Sequence, residues 1–113
     1  MSAQVTIYGQ PFPSVVDRDE VGTSSTETWI RENAARLDAR VAECGVIVFR
    51  GFSLETDRDF DAFVRAFGFP NFPYDESLSN AVRINRTDRV FTANEAPPDV
   101  TIYLHHEMAQ TPL

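Results

Sequence analysis

Between two stretches of helical periodicity stands Val46-Ile47-Val48-Phe49, an unbroken apolar and mostly β-branched run, too short for a helix and suited to a buried strand. Gly45 ahead of it suits the left-handed residue after a helix end, and Arg50-Gly51 closes it. Upstream, Ile30, Ala34, Leu37 and Val41 recur at steps of four, three and four. That single apolar stripe predicts a helix over 26–43, with Ser24 and Glu27 at capping-box spacing. Downstream, a second helix is expected from about Thr56, with Asp59 at its acidic third position and Gly68 as its stop. Phe60, Phe63, Val64 and Phe67 share one face of it, and an aromatic stripe at helical spacing reads as core packing before it reads as a cofactor platform. Helices and strands mixed in this way place the chain in the α+β class.

The remainder is punctuated. A short strand is expected over 5–8, broken by Gly9, Pro11 and Pro13, followed by a loop as far as Gly22. Pro70, Asn71 and Pro73 mark 69–80 as loop, strands are expected over 81–85 and 90–92 around a Thr87-Asp88-Arg89 turn, and Pro97-Pro98 stiffens the loop that follows. A chain of 113 residues has room for one small domain, which would bury roughly two-thirds of its extended surface.

Charge and cysteine usage exclude several classes. Seventeen acidic residues against ten basic ones give a net charge of -7 with no basic run, so a partner with a phosphate backbone is not expected. Cys44 is the only cysteine, which excludes an intramolecular disulfide and a cysteine-based zinc site; between a helix and a strand it reads as a small buried apolar residue. No basic leader with an apolar core opens the chain, and no apolar run approaches ~18 residues, so no membrane span is expected and the expected location is cytoplasmic.

Near the end of the chain, Val100, Ile102 and Leu104 alternate with Thr101 and Tyr103, the period of a half-buried strand. Continued, the alternation puts His105 and Glu107 on the face of Thr101 and Tyr103, and His106 on the other. Side chains two residues apart on a strand start roughly 6–7 Å from each other, close enough for an imidazole and a carboxylate to meet one ion. With a distant second imidazole they make a 2-His-1-carboxylate set, which suits non-haem Fe(II) and leaves positions for a cosubstrate and oxygen.

Several of these features in order resemble the TauD/TfdA family of Fe(II)- and 2-oxoglutarate-dependent oxygenases. They are the segment from Gly45 through Phe52, the helix ending Phe63-Val64-Arg65-Ala66-Phe67-Gly68, Arg83, Val90-Phe91-Thr92-Ala93-Asn94-Glu95, and Leu104-His105-His106-Glu107-Met108. The resemblance is greatest to the branch that hydroxylates amino acids or natural products. It implies the N-terminal portion of a double-stranded β-helix (jelly-roll) fold with two flanking helices, with His105 and Glu107 as iron ligands and with Fe(II), 2-oxoglutarate and O2 as cofactor and cosubstrates. Glu107 stands where halogenating relatives carry a small residue, so hydroxylation is the implied chemistry. The implied substrate is a small molecule, an amino acid or natural-product precursor, free or tethered to a carrier protein. Tyr103 either lines the pocket or packs with its hydroxyl satisfied. Arg83, Thr92, Asn94 and Glu95 are candidates for substrate contacts or for orienting the ligands, against plain readings as loop hydrogen bonding and a surface ion pair.

The family pattern also requires a second, distant histidine and an arginine beyond it. The two histidines here are adjacent, and no arginine follows Arg89. The expectation is therefore a single partial domain over 1–113 whose C-terminal half is absent and which is inactive alone. The alternative is a non-catalytic half-domain that binds a partner or, through the open edges of a half-barrel, a second copy of itself. A zinc site is a third reading, without an HExxH helix or a cysteine partner to support it.

Overall fold

The computed structural model describes residues 5–72 and 82–105. The chain opens on a tight hairpin in which β1 (Thr6–Ile7) pairs antiparallel with β2 (Gln10–Pro11). Tyr8 and Gly9 between them both take positive φ, 52° and 77°, as the two-residue turns that match strand twist require. The strand expected over 5–8 is shorter because the turn has already begun at Tyr8.

The loop expected as far as Gly22 is corrected. It contains β3 (Ser14–Asp17) and one 3₁₀ turn, Arg18–Val21. β3 lies parallel to β4 (Ile47–Arg50), with Val15 opposite Val48 and Val16 opposite Phe49. Two prolines just upstream obscured the strand in the sequence, and its hydrogen-bond partner stands about thirty residues away. Parallel neighbours need a long connection, which α1 (Thr26–Cys44) provides.

α1 matches its predicted span to within a residue, but its cap is Ser25 and not Ser24. The Ser25 hydroxyl accepts from the Thr28 amide at 3.2 Å, one of the donors that a helix start leaves unpaired. Gly45 ends the helix at φ 82° and donates its N–H to the Val41 carbonyl, as the sequence led one to expect. Ile30 and Leu37 of the predicted stripe are buried, whereas Val41, one turn from the end, is partly exposed. Arg40 reaches back from α1 to the start of β3, where Nε donates to Ser14 Oγ at 2.6 Å and Nη2 to the Val15 carbonyl at 2.8 Å.

α2 (Asp57–Ala66) starts at Thr56 in a full capping box with Asp59, as expected. Its aromatic stripe faces the core through Phe63, Val64 and Phe67, while Phe60 at its start is exposed. Phe63 is buried, and the rings of Phe49, Phe52, Phe63 and Phe67 meet edge to face at centroid distances of 5.2–6.0 Å, the arrangement that ring quadrupoles favour. Val16, Val21, Trp29, Ile30, Leu37 and Ala66 complete this core.

Strands expected in the last third are reduced. From 81–85 and 90–92 there remains one isolated antiparallel bridge, Asn85 to Phe91. Residues 100–105 join no ladder among the described residues, and both alternating sets there are exposed. A strand exists by virtue of the neighbour that takes its hydrogen bonds, and no described element offers this segment one.

Candidate metal centre

The segment 82–95 folds back on itself through a few backbone bonds. The Glu95 amide donates to the Val82 carbonyl at 2.7 Å, the Thr92 amide to the Ile84 carbonyl at 2.9 Å, and the Arg86 amide to the Val90 carbonyl at 2.7 Å. The Thr92 hydroxyl accepts from the Ile84 amide at 2.9 Å. Arg83, Thr92, Asn94 and Glu95 are thereby gathered into one loop. Arg83 is half-buried with its guanidinium 5.6 Å from the Phe91 ring centroid, while Asn94 and Glu95 are exposed.

Contacts with α2 position this loop. Thr87 donates its hydroxyl proton to Asp61 Oδ1 at 2.7 Å and accepts from the amides of Arg89 and Val90, and Arg86 Nε donates to Asp57 Oδ2 at 2.9 Å. Asn71 Nδ2 donates to the Asp88 carbonyl, and Arg89 to that of Phe69. Val90 is the buried apolar anchor among them. A hydrogen bond from Arg65, then one from Thr87, holds the Asp61 carboxyl below its ordinary value, and Asp61 in turn raises Arg65. The sequence reading passed over Asp61 and Thr87. Asp61 and Arg65 at i and i+4 were visible as a helix pair, but nothing in the sequence joins either to Thr87.

Of the two residues expected to hold metal, His105 is described and exposed, and Glu107 lies outside the described residues, as does His106. The His105 Nδ1 stands 2.6 Å from the Tyr103 carbonyl oxygen. A carbonyl only accepts, so in this contact Nδ1 is the donor. Metal-binding imidazoles characteristically show this pattern, one nitrogen donating to a carbonyl or carboxylate and the other turned to the ion. Tyr103 itself is 79% exposed, which sets aside the packed alternative for its ring within the described structure. Among the described residues no group of three His, Cys, Asp or Glu side chains could hold a metal ion.

An open groove of about 690 Å³ lies elsewhere, lined by Gln10, Pro11 and Ser14 from the N-terminal strands and by Arg40, Glu43 and Cys44 from the end of α1. None of the expected site residues lines it. Arg40 there is engaged with β3, and the half-buried Cys44 thiol faces the Val46 carbonyl at 3.2 Å. No helix of the described residues is long and apolar enough to cross a membrane.

The family model for the taurine catabolism dioxygenase TauD, TfdA family matches residues 9–112, a span that runs through both the 82–95 loop and the His105-His106-Glu107 motif. A clavaminate synthase-like protein of Arabidopsis thaliana is 39% identical over 109 residues, covering 89% of this chain and 32% of that protein. The chain spans about a third of the length of the curated relative it matches. With 9–112 matched and that identity sustained along nearly the whole chain, this protein belongs to the TauD/TfdA family.

Proposed function

We propose that this chain carries the first two protein ligands, His105 and Glu107, of an Fe(II)/2-oxoglutarate-dependent dioxygenase centre set in a jelly-roll fold. The observation that carries the proposal is the family match over residues 9–112, a span that includes the His105-x-Glu107 motif. The hydrogen bond from His105 Nδ1 to the Tyr103 carbonyl supports it, because metal-binding imidazoles commonly donate one ring nitrogen to a backbone carbonyl. When bound, ferrous iron with 2-oxoglutarate and O2 supplies hydroxylation chemistry, with 2-oxoglutarate converted to succinate and CO2.

The substrate in this reading is an amino acid or natural-product precursor, free or tethered to a carrier protein. The chain's own part is positional. His105 and the Glu107 carboxylate hold the ion, and the 82–95 loop presents Arg83, Thr92, Asn94 and Glu95 as groups that orient a small polar substrate. Anaerobic Fe(II) titration followed by calorimetry tests this. His105→Ala and Glu107→Ala should each weaken binding by roughly tenfold or more, since even outer partners of metal ligands are worth that much. Unchanged affinity in either variant would remove that residue from the ligand set.

A second reading, a non-catalytic segment that binds a partner or another copy of itself, has one observation in its favour. Val82, Ile84, Val100, Ile102 and Leu104 are each more than half exposed, a concentration of apolar surface that soluble chains usually cover.

A further inference from the structure

The β3–β4 sheet has one closed edge and one open edge. Ser14 donates its amide to the Val46 carbonyl, so Ser14 and Val16 turn their backbone groups toward β4, and Val15 and Asp17 turn theirs away. Side chains occupy that outward side of β3. Arg40 Nη2 donates to the Val15 carbonyl at 2.8 Å, and Glu20 accepts from the Asp17 amide at 3.4 Å. On β4 the outward residues are Ile47 and Phe49, and among the described residues no strand pairs with that edge. Beside it lies an apolar groove of about 180 Å³, lined by Leu37 and Val41 of α1, Ile47 and Phe49 of β4, and Phe67 and Phe69 beyond α2. That volume is below the about 300 Å³ at which small-molecule sites begin, and it suits the apolar side chains of a neighbouring strand.

The same chain carries an extended stretch with no ladder to join. It starts after Val100, whose amide donates to the Pro97 carbonyl, and among the described residues no hydrogen bond engages the backbone of Ile102 or Leu104. Those two residues are 55% and 105% exposed, and they share one face of the alternation. We propose that the outer edge of β4 takes residues 101–104 of a second copy as an added strand, with Ile102 and Leu104 in the groove. The proposal deepens the reading of this chain as self-associating and makes no use of the metal centre. Strand addition draws its affinity from free backbone groups on both partners and its specificity from pockets for alternate side chains. Edge, groove and unpaired strand all stand on this one chain, and Thr101 to Leu104 brings no charge into an apolar site. Because each copy offers both halves of the contact, two such contacts formed reciprocally close a dimer about a two-fold axis.

The test is disulfide trapping in the full chain. Val41→Cys and Ile102→Cys are combined with Cys44→Ser, and equal amounts of ¹⁴N- and ¹⁵N-labelled protein are mixed, oxidised, digested and weighed by mass spectrometry. A link between positions 41 and 102 that joins peptides of unlike label is expected. The same link between like labels alone would mean that the chain's own strand covers the edge, and would overturn the proposal. Sedimentation velocity of the unsubstituted chain should show concentration-dependent association. Val41 is already partly exposed, so Val41→Lys should leave the urea midpoint unchanged while weakening association roughly tenfold or more, by setting a charge in the groove. Association without a link between 41 and 102, or undiminished in Val41→Lys, overturns this docking and leaves self-association to another surface. A chain that stays monomeric at every concentration overturns the docking and the self-association reading together.

Discussion

Arg40 does more for the fold than its place on a helix flank suggests. Its guanidinium spans two acceptors at the start of β3, the Ser14 hydroxyl and the Val15 carbonyl, with Glu20 at 4.0 Å as a looser ionic neighbour. A forked donor can serve two acceptors at once where a lysine offers one compact charge. Arg40→Leu should cost about 1.5–3 kcal/mol in urea denaturation, and Arg40→Lys should recover only part of it; full recovery would mean that charge alone matters. The helix cap can be checked in the same way. Ser25→Ala should lose about 1 kcal/mol, whereas Ser24→Ala should change stability by less than about 0.5 kcal/mol. Ser24 contributes its carbonyl, which accepts from Arg18 Nη2 and survives the substitution. Both serines fit a cap by composition, and only the actual start of the helix separates them.

α2 has two working faces. On one, Phe63 is enclosed by Phe49, Phe52 and Phe67, and Phe63→Ala should destabilise by about 3–5 kcal/mol. Phe60 belongs to the same predicted stripe but is 45% exposed, so Phe60→Ala should cost a small fraction of that; comparable losses would refute the packing described. On the other face, Asp57 and Asp61 secure the 82–95 loop through Arg86 and Thr87. The folded Asp61 carboxyl titrates below its ordinary value of 3.8, first through Arg65 and then through Thr87. A depressed carboxyl contributes stability that is complete above the ordinary value and is lost as the pH falls through the lower folded one. Urea midpoints should therefore drop in that acid range, and Asp61→Asn should flatten the drop while lowering stability at neutral pH. An equally steep acid limb in the variant would assign the effect to other carboxylates.

Across the molecule, the core is concentrated between α1, α2 and the β3–β4 pair, while the described residues after Phe72 add one buried apolar side chain, Val90. The radius of gyration of 16.5 Å exceeds the about 13 Å of a compact domain of this length. The apolar residues of 100–104 thus contribute surface and not core. Replacing Ile102 and Leu104 by threonine should leave the urea midpoint within about 0.5 kcal/mol and should reduce concentration-dependent association in sedimentation; association that persists unchanged would place the sticky surface elsewhere. Both helices and the place of β4 could be read directly from the chain. A helix closes its hydrogen bonds within four residues, so its stripe and its ends are written locally, as Ile30, Leu37 and Gly45 show. The pairing of β3 with β4, the reach of Arg40, the docking of Thr87 on Asp61 and the absence of a ladder for 100–105 among the described residues belonged to the tertiary structure. Each depends on which distant group occupies the neighbouring space, and residue spacing along the chain carries no record of that.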